Sequence, residues 1–249
     1  MTEAAAAGPS PAPSPTPGIG AFEAVVGTFS RPSETFGRLV ARPTWWLPFL
    51  LTLVLGTLTY AVASPKVDLE GSIRESIEKS GRSVRAGTVE RQVAFMQKWS
   101  AVITAGVVVV GAALFFVIAL ILWGAAKAMG ADARYSQLLA IWAHSGLPNA
   151  ISSLVAIPLF LRLPDGSLTQ AAAQKVLASH LGAFLDDSAP AALRTLATSI
   201  DIFSFAVLFL LIIGLRRLPG LSKGAATAIP VVLWVLFVAG KVAWRAVMG

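Results

Sequence analysis

The sequence predicts an all-α, polytopic membrane protein with five transmembrane helices, on three observations. Hydrophobic residues make up 55% of the 249 residues and charged residues only 13%, too few to cover a water-soluble domain of this size. The apolar residues are concentrated in long runs, and about 20 such residues cross a hydrocarbon core about 30 Å thick. The basic residues flank these runs, as is typical of helix ends at lipid head groups.

The first 18 residues alternate proline with small residues and contain no apolar bulk. Such a segment cannot bury enough surface to offset its ordering entropy, so we expect residues 1–18 to be a disordered tail. A basic stretch followed by a short apolar core is also missing, so the sequence predicts no cleavable signal peptide.

Residues 19–42 place apolar side chains at helical spacing before and after a break at Pro32. This pattern predicts two short amphipathic helices. Two placements are open: the helices lie at the membrane surface with Arg31, Arg38 and Arg42 facing phosphates, or they pack against the bundle as a cap.

Residues 43–249 form the predicted membrane domain. The fourth apolar run is short, and it suffices for a crossing only because Arg216 and Arg217 can extend outward to the head groups. The first run opens at Trp45 and Trp46, which is typical of the aromatic belt at a membrane boundary. The five predicted spans are residues 45–64, 99–126, 137–161, 201–218 and 224–240.

Two long connections separate the spans. Residues 65–98 alternate charges along a helical pattern, which predicts a solvent-exposed helical hairpin. In the second connection, Ser167 and Gln170 have the spacing of a capping box and predict a helix as far as about Leu185. Ser188 is then a suitable N-cap for another helix, which we expect to run unbroken into the fourth span.

The charge distribution predicts a cytoplasmic N-terminus. The short connections at 127–134 and 216–223 are both net positive, and basic short loops favour the cytoplasmic side. The two long connections then lie outside. Because alanine-rich composition with a proline-rich start is typical of GC-rich bacterial genomes, we expect the bacterial inner membrane as the location.

Three groups of residues resemble the Yip family (Ypt/Rab-interacting membrane proteins), over roughly residues 22 to 240. Their residue types, their order along the chain and their spacing are all similar to those of the family. The groups are Pro32-x-x-x-Phe36 with Pro43-x-Trp45-Trp46-x-Pro48, then Tyr135-Ser136-Gln137 leading to His144-Ser145-Gly146-Leu147-Pro148, and finally Asp201-Ile202-Phe203-Ser204 with Gly214-Leu215 and Leu221-Ser222-Lys223.

The resemblance implies five transmembrane helices and a cytosolic N-terminus. For eukaryotic relatives it implies vesicle trafficking through prenylated GTPases and membrane shaping. The Asp-Leu-Tyr-Gly-Pro segment that eukaryotic members place before the first span is absent from this chain, which argues against GTPase binding.

Four intramembrane residues are candidates for a polar site: His144, Pro148, Asn149 and Asp201. An ionisable group at membrane depth suggests function by default, and Pro148 is expected to kink the third span beside His144. The alternatives for His144 are a neutral ring hydrogen-bonded across the bundle to a serine, threonine or backbone carbonyl, a proton or substrate relay, and an interfacial position. Asn149 is a candidate for interhelical bonding, and Asp201 for a helix cap, an interface residue or an ion site.

The sequence predicts no catalytic, cofactor or metal site. There is no cysteine, phosphate-binding glycine loop or hydrolase motif, and His180, Asp186 and Asp187 fit no recognised ligand pattern. The sequence also lacks a basic stripe with stacking aromatic residues, so it does not predict nucleic-acid binding.

The expected function is therefore non-enzymatic: membrane organisation, or binding of lipids, a membrane-protein partner or a second copy. The alternative is a small transporter or channel subunit built around the kinked third span, with a membrane enzyme as a third possibility.

Overall fold

The computed structural model describes residues 18–80, 87–186 and 189–248, and its regular structure is helical, which confirms the all-α class. Residues 1–17 of the predicted disordered tail, the tip of the predicted hairpin at 81–86, and Ser188 lie outside the described residues. Two 3₁₀ turns, Ser64–Lys66 and Leu181–Phe184, accompany the helices. The helices are α1 (Ala21–Ser30), α2 (Pro32–Ala41), α3 (Trp46–Ala63), α4 (Leu69–Ser80), α5 (Thr88–Lys98), α6 (Ser100–Ala128), α7 (Tyr135–Ser145), α8 (Leu147–Leu161), α9 (Gln170–Lys175), α10 (Ala191–Ser199), α11 (Ile202–Leu215) and α12 (Lys223–Met248).

Four helical segments in the described chain are long and apolar enough to cross a membrane. They are Trp46–Lys66, Ser100–Ala128, Tyr135–Leu161 and Lys223–Val247, and they match the first, second, third and fifth predicted spans. The fourth predicted span is α11, whose 14 residues extend only about 21 Å, so a count of five crossings stays a prediction.

The third span is two helices rather than one kinked helix. α7 ends at Ser145 and α8 begins at Leu147, with Gly146 between them. The N–H of Gly146 donates to the carbonyl of Trp142 at 3.0 Å, which closes the last turn of α7. Pro148 occupies the first turn of α8, where its missing N–H has no helical partner to lose. The third span is therefore interrupted at Gly146, two residues before the position of the predicted kink.

The two long connections lie on the same face of the bundle. The Asp68 N–H donates to the Leu168 carbonyl at 2.7 Å, and the Leu168 N–H donates to the Lys66 carbonyl at 2.9 Å. Lys66 Nζ also pairs with Asp165 Oδ1 at 2.6 Å. The two short connections meet elsewhere, where the Asp132 N–H donates to the Pro219 carbonyl at 2.8 Å. The bundle therefore has a long-connection face and a short-connection face, joined by the spanning helices.

The first long connection confirms the predicted helical hairpin. α4 and α5 pack against each other, and Arg74 of α4 bonds both Glu70 at 2.6 Å and Glu90 of α5 at 3.2 Å. These two carboxylates raise the pKa of Arg74, and the largest cause is the hydrogen bond that Arg74 donates to Glu70.

The prediction of a single helix from Ser167 to about Leu185 is wrong. The stretch instead holds the short α9 and the 3₁₀ turn Leu181–Phe184. Thr169 rather than Ser167 caps α9, accepting from the N–H of Ala172 at 3.1 Å. The Ser167 hydroxyl instead donates to the Pro164 carbonyl at 2.7 Å. Residues 166–168 bond to the first connection across the long-connection face, and this long-range pairing overrides the local capping pattern.

The prediction that the helix after Ser188 runs unbroken into the fourth span is also wrong. α10 ends at Ser199, Ile200 leaves the helical conformation, and α11 starts anew after Asp201. Backbone bonds from Leu181 to Ile200 and from Ile202 to Ser179, each 3.1 Å, hold this break open. At the other end of the chain, α12 runs as far as Met248 rather than ending at Lys241.

α1 and α2 pack against the bundle while leaving one apolar face of α1 uncovered. Phe36 and Leu39 of α2 are completely buried in the main hydrophobic core. Of the arginines predicted to face phosphates, Arg38 instead pairs with Glu23 at 2.7 Å, and this bond lowers the pKa of Glu23. The cap placement therefore describes α2, whereas α1 leaves Phe22, Val26 and Phe29 exposed.

Candidate functional site

The core of the bundle lies where α2, α7 and α11 meet at Gly214. A Cβ on Gly214 would lie 2.5 Å from Ile141 Cγ2 of α7 and 3.1 Å from the Phe36 ring of α2. Both neighbouring side chains are completely buried. Glycine is thus the residue that lets three helices converge at this point.

Gln137 fixes the register of α2 against α7. Its Nε2 donates to the Val40 carbonyl at 2.7 Å, and its Oε1 accepts from the N–H of Arg134 at 2.8 Å. Val40 of α2 thus lies beside Gln137, while Phe36 lies beside Ile141, one turn further into α7. α2 therefore runs antiparallel to α7, and its N-terminal end lies deeper in the bundle than its C-terminal end.

His144 is completely buried one turn beyond Ala140 on α7. Its Nδ1 lies 2.9 Å from the Ala140 carbonyl, so Nδ1 carries the proton that is donated to its own helix. Its Nε2 is buried and has no hydrogen-bond partner in the described part of the chain. The same holds for two neighbouring groups, Ser145 Oγ and Trp142 Nε1. His144 thus faces the bundle interior, and its bond is to its own helix rather than across the bundle.

The other two candidates on the third span separate from each other. Pro148 is buried in the first turn of α8, whereas the Asn149 side chain is exposed. The polar cluster expected around the bend is therefore divided between the bundle interior and its surface.

Asp201 is a helix cap. Its Oδ2 accepts from the Ser204 N–H at 2.9 Å and from the Ser204 hydroxyl at 3.2 Å, at the first turn of α11. Its backbone lies opposite His180, whose Nε2 bonds the Gln174 carbonyl at 2.9 Å. Among the described residues no group of three histidine, aspartate or glutamate side chains could hold a metal ion.

The four candidates do not form one site. His144 and Asp201 each bond within their own helix, at Ala140 and Ser204, and the Asn149 side chain is exposed. Two cavities stand out, one between α3 and α6 and one between α10 and α12, and none of the four residues lines either. Neither of these two cavities therefore provides a polar pathway through the four residues.

A model of the Yip1 domain matches residues 26–243. The chain belongs to the Yip1 family. No curated protein and no solved structure matches the chain.

Yip1 membership over nearly the whole chain confirms the resemblance drawn from residues 22 to 240. Together with four helices long and apolar enough to cross, it makes this chain a multi-pass membrane protein. The core residues Phe36, Gln137 and Gly214 all lie within the matched domain, as do the four candidate residues.

Sequence reasoning missed the structural role of Gln137. The available signal was its position three residues after Arg134 at the start of the third span, where glutamine typically closes a capping box. Its second bond, to Val40 at a separation of 97 residues, has no local signal in the sequence.

We expect Gln137→Leu to destabilise this Yip1 protein by about 1–3 kcal/mol, because it leaves the buried Val40 carbonyl without its donor. His144→Leu should be neutral or stabilising, because it removes an unpartnered buried nitrogen at similar volume. Thermal unfolding of both variants in one detergent measures the contrast. A larger loss for His144→Leu than for Gln137→Leu would show that the imidazole has a partner essential to the fold.

Proposed function

We propose that this Yip1 protein is a non-enzymatic membrane organiser of the bacterial inner membrane, which works through lateral contacts with lipids and a membrane-embedded partner. It crosses the membrane five times, α11 being the short fourth crossing. α11 joins the long-connection face at Asp201 to the short-connection face at Leu218, whose neighbour Pro219 bonds Asp132.

One observation is the main support: α6 and one face of α3 are exposed on the outside of the protein, although α3 also packs against α8. Only 6% of the apolar window of Trp46–Lys66 and 11% of that of Ser100–Ala128 are buried within the protein. Side chains exposed there include Val54, Val109 and Val110, at 59%, 67% and 58%. These exposed faces of two adjacent spans are available to whatever surrounds the protein in the bilayer.

The groove between these two helices is apolar. Its volume is about 270 Å³, and it is lined by Phe49 and Gly56 of α3 and by Gly111 and Phe115 of α6, among others. Its three threonine hydroxyl groups do not offer free protons, because Thr52, Thr57 and Thr104 each donate to a carbonyl of their own helix at 2.8–2.9 Å. Such a wall suits an acyl chain or a partner helix rather than a polar solute.

The outer face of α1 supports lipid contact on the short-connection side. Its small residues Ala24 and Gly27 face the protein, whereas Phe22, Val26 and Phe29 are 76%, 50% and 46% exposed. α1 packs on α2, which extends inward beside α7. We propose that this apolar face lies in the acyl region of the leaflet, as an interfacial helix does.

The proposed orientation places the N-terminus and both short connections in the cytoplasm. The connections at 127–134 and 216–223 contain Lys127, Arg134, Arg216, Arg217 and Lys223, with Asp132 as their one acidic residue, and this bias favours the cytoplasmic side.

The transporter alternative has weaker support. It needs polar residues around a shared cavity, whereas His144, Asn149 and Asp201 are respectively buried, exposed and engaged as a cap. GTPase binding has no feature among the described residues to favour it.

Photo-crosslinking in the native membrane tests the proposal. A photoreactive residue at Gly111, in the groove, should yield a discrete protein adduct or a lipid adduct, because its surroundings are apolar. The matched control is Leu154 of α8, which is 56% exposed but lines neither described cavity. We expect heterogeneous lipid adducts at Leu154 and a defined adduct at Gly111. Capture only by water at Gly111 would show a hydrated path between α3 and α6, and would overturn the proposal in favour of a transporter.

A further inference from the structure

A second groove, of about 430 Å³, lies between α10 and the last turns of α12. Its floor is formed near Gly240 of α12, where a Cβ would meet no heavy atom within 4 Å. Thr195 of α10 forms part of the opposite wall. The groove is open to the outside of the bundle and separate from the one between α3 and α6.

The groove changes from apolar to basic along α12. Leu236 and Phe237, at one end, are 62% and 65% exposed. Lys241 and Arg245 follow one and two turns later on the same helix face, since residues four apart lie above one another. Lys241 also lies over the Phe237 ring, with its ammonium 5.4 Å from the ring centroid.

The basic end of the groove lies at the membrane boundary of the long-connection face. Lys241 Nζ donates to Ser199 Oγ at 3.2 Å, and Ser199 comes two residues before the cap of α11. Lys241 therefore lies at the depth where the polar connection at 162–200 ends and the apolar run of α11 begins. Trp244 of the groove is 63% exposed there, and tryptophan favours the interface.

The two cations have room for an external anion. Neither Lys241 nor Arg245 forms an ion pair with an acidic side chain among the described residues. Both are exposed, and both line the groove. An ammonium and a guanidinium one turn apart match the charge and spacing of a phosphodiester.

We propose that this groove binds one anionic phospholipid. This inference rests on the proposed function, in which the protein works through contacts with lipids, and names one class of lipid. The phosphate lies between Lys241 and Arg245, and an acyl chain follows Gly240 down to Phe237 and Leu236. Charge complementarity at one end and the exposed apolar wall at the other favour a lipid over a partner helix.

The test measures binding of phosphatidylglycerol to the full chain in detergent, with phosphatidylcholine of the same acyl chains and inorganic phosphate as comparison ligands. We expect preference for phosphatidylglycerol, read as a rise in melting temperature during titration. Each basic side chain removed, by Lys241→Gln or Arg245→Gln, should weaken binding about fivefold. The matched control is Lys98→Gln, which also removes one positive charge, beside exposed Trp99 and outside both described grooves.

Gly240→Leu separates the acyl contact from the charge. The new side chain enters open space, so folding without added lipid should be unchanged, whereas the groove is filled and phosphatidylglycerol binding is lost. Gly106→Leu of α6, equally free of neighbours, should leave binding intact.

Three results would overturn the inference: equal effects of both phospholipids, full binding by Gly240→Leu, or equal stabilisation by inorganic phosphate alone. None of them bears on the crosslinking result at Gly111, so this site can fail while the proposed function stands.

Discussion

Gly214→Ala is expected to lower the stability of the bundle by about 1–3 kcal/mol, the usual cost of overpacking a filled core. The added methyl would lie 2.5 Å from Ile141 Cγ2 and 3.1 Å from the Phe36 ring. Neither neighbour has exposed surface into which it could move. The substitution therefore pushes α11 away from α7 and α2 at the point where the three helices meet. Thermal unfolding in detergent measures the loss.

The control for this prediction is Gly124→Ala in α6. That glycine is also helical, but it is exposed, and a Cβ there meets nothing within 4 Å. Alanine favours the helix by about 0.5–1 kcal/mol over glycine, so the control should be neutral or stabilising. Equal melting temperatures for the two variants would show that α11 does not pack on α7 and α2 in this way.

Gly220→Ala is expected to have the second large effect, on the short-connection face. Gly220 has φ of +76°, a conformation that costs other residues about 1–2 kcal/mol. Its Cβ would also lie 2.6 Å from the backbone carbonyl oxygen of Gly130, which belongs to the other short connection. A backbone atom cannot rotate away as a side chain does, so the bond between Asp132 and Pro219 is lost with the approach.

Gly166→Ala isolates the second cost from the first. Gly166 has φ of +65°, but a Cβ there meets no atom within 4 Å. It should therefore show the conformational cost alone, and Gly220→Ala should exceed it by about 1–3 kcal/mol in thermal unfolding. If both variants lose the same amount, the two short connections do not touch as described.

Length and composition predict the long helices well, because a run of about 20 apolar residues has few alternatives in a membrane. α3 and α6 differ from the predicted spans by one or two residues at each end. The long connection at 162–200 was predicted poorly. Its backbone is committed to distant partners, Lys66 and Asp68 on one side and Asp201 on the other, and no local pattern encodes those bonds.

The candidate site shows the same limit. Burial of His144 and capping by Asp201 agree with alternatives that the sequence left open. Polarity alone could not tell that Asn149 faces outward, because a break at Gly146 resets the helix face between α7 and α8. The close approach at Gly214 depends on residues from three separate helices, so no single segment could have predicted it.

Labelling of single cysteines in intact cells tests the two-faced membrane bundle most directly, and the natural chain contributes no cysteine of its own. Gln97→Cys and Phe184→Cys are exposed in the two long connections, and Met129→Cys is exposed in a short one. An impermeant maleimide should label the first two from outside, and Met129→Cys only after the membrane is opened. Labelling of Gln97→Cys and Phe184→Cys from opposite sides, or of Met129→Cys together with both, would contradict the account.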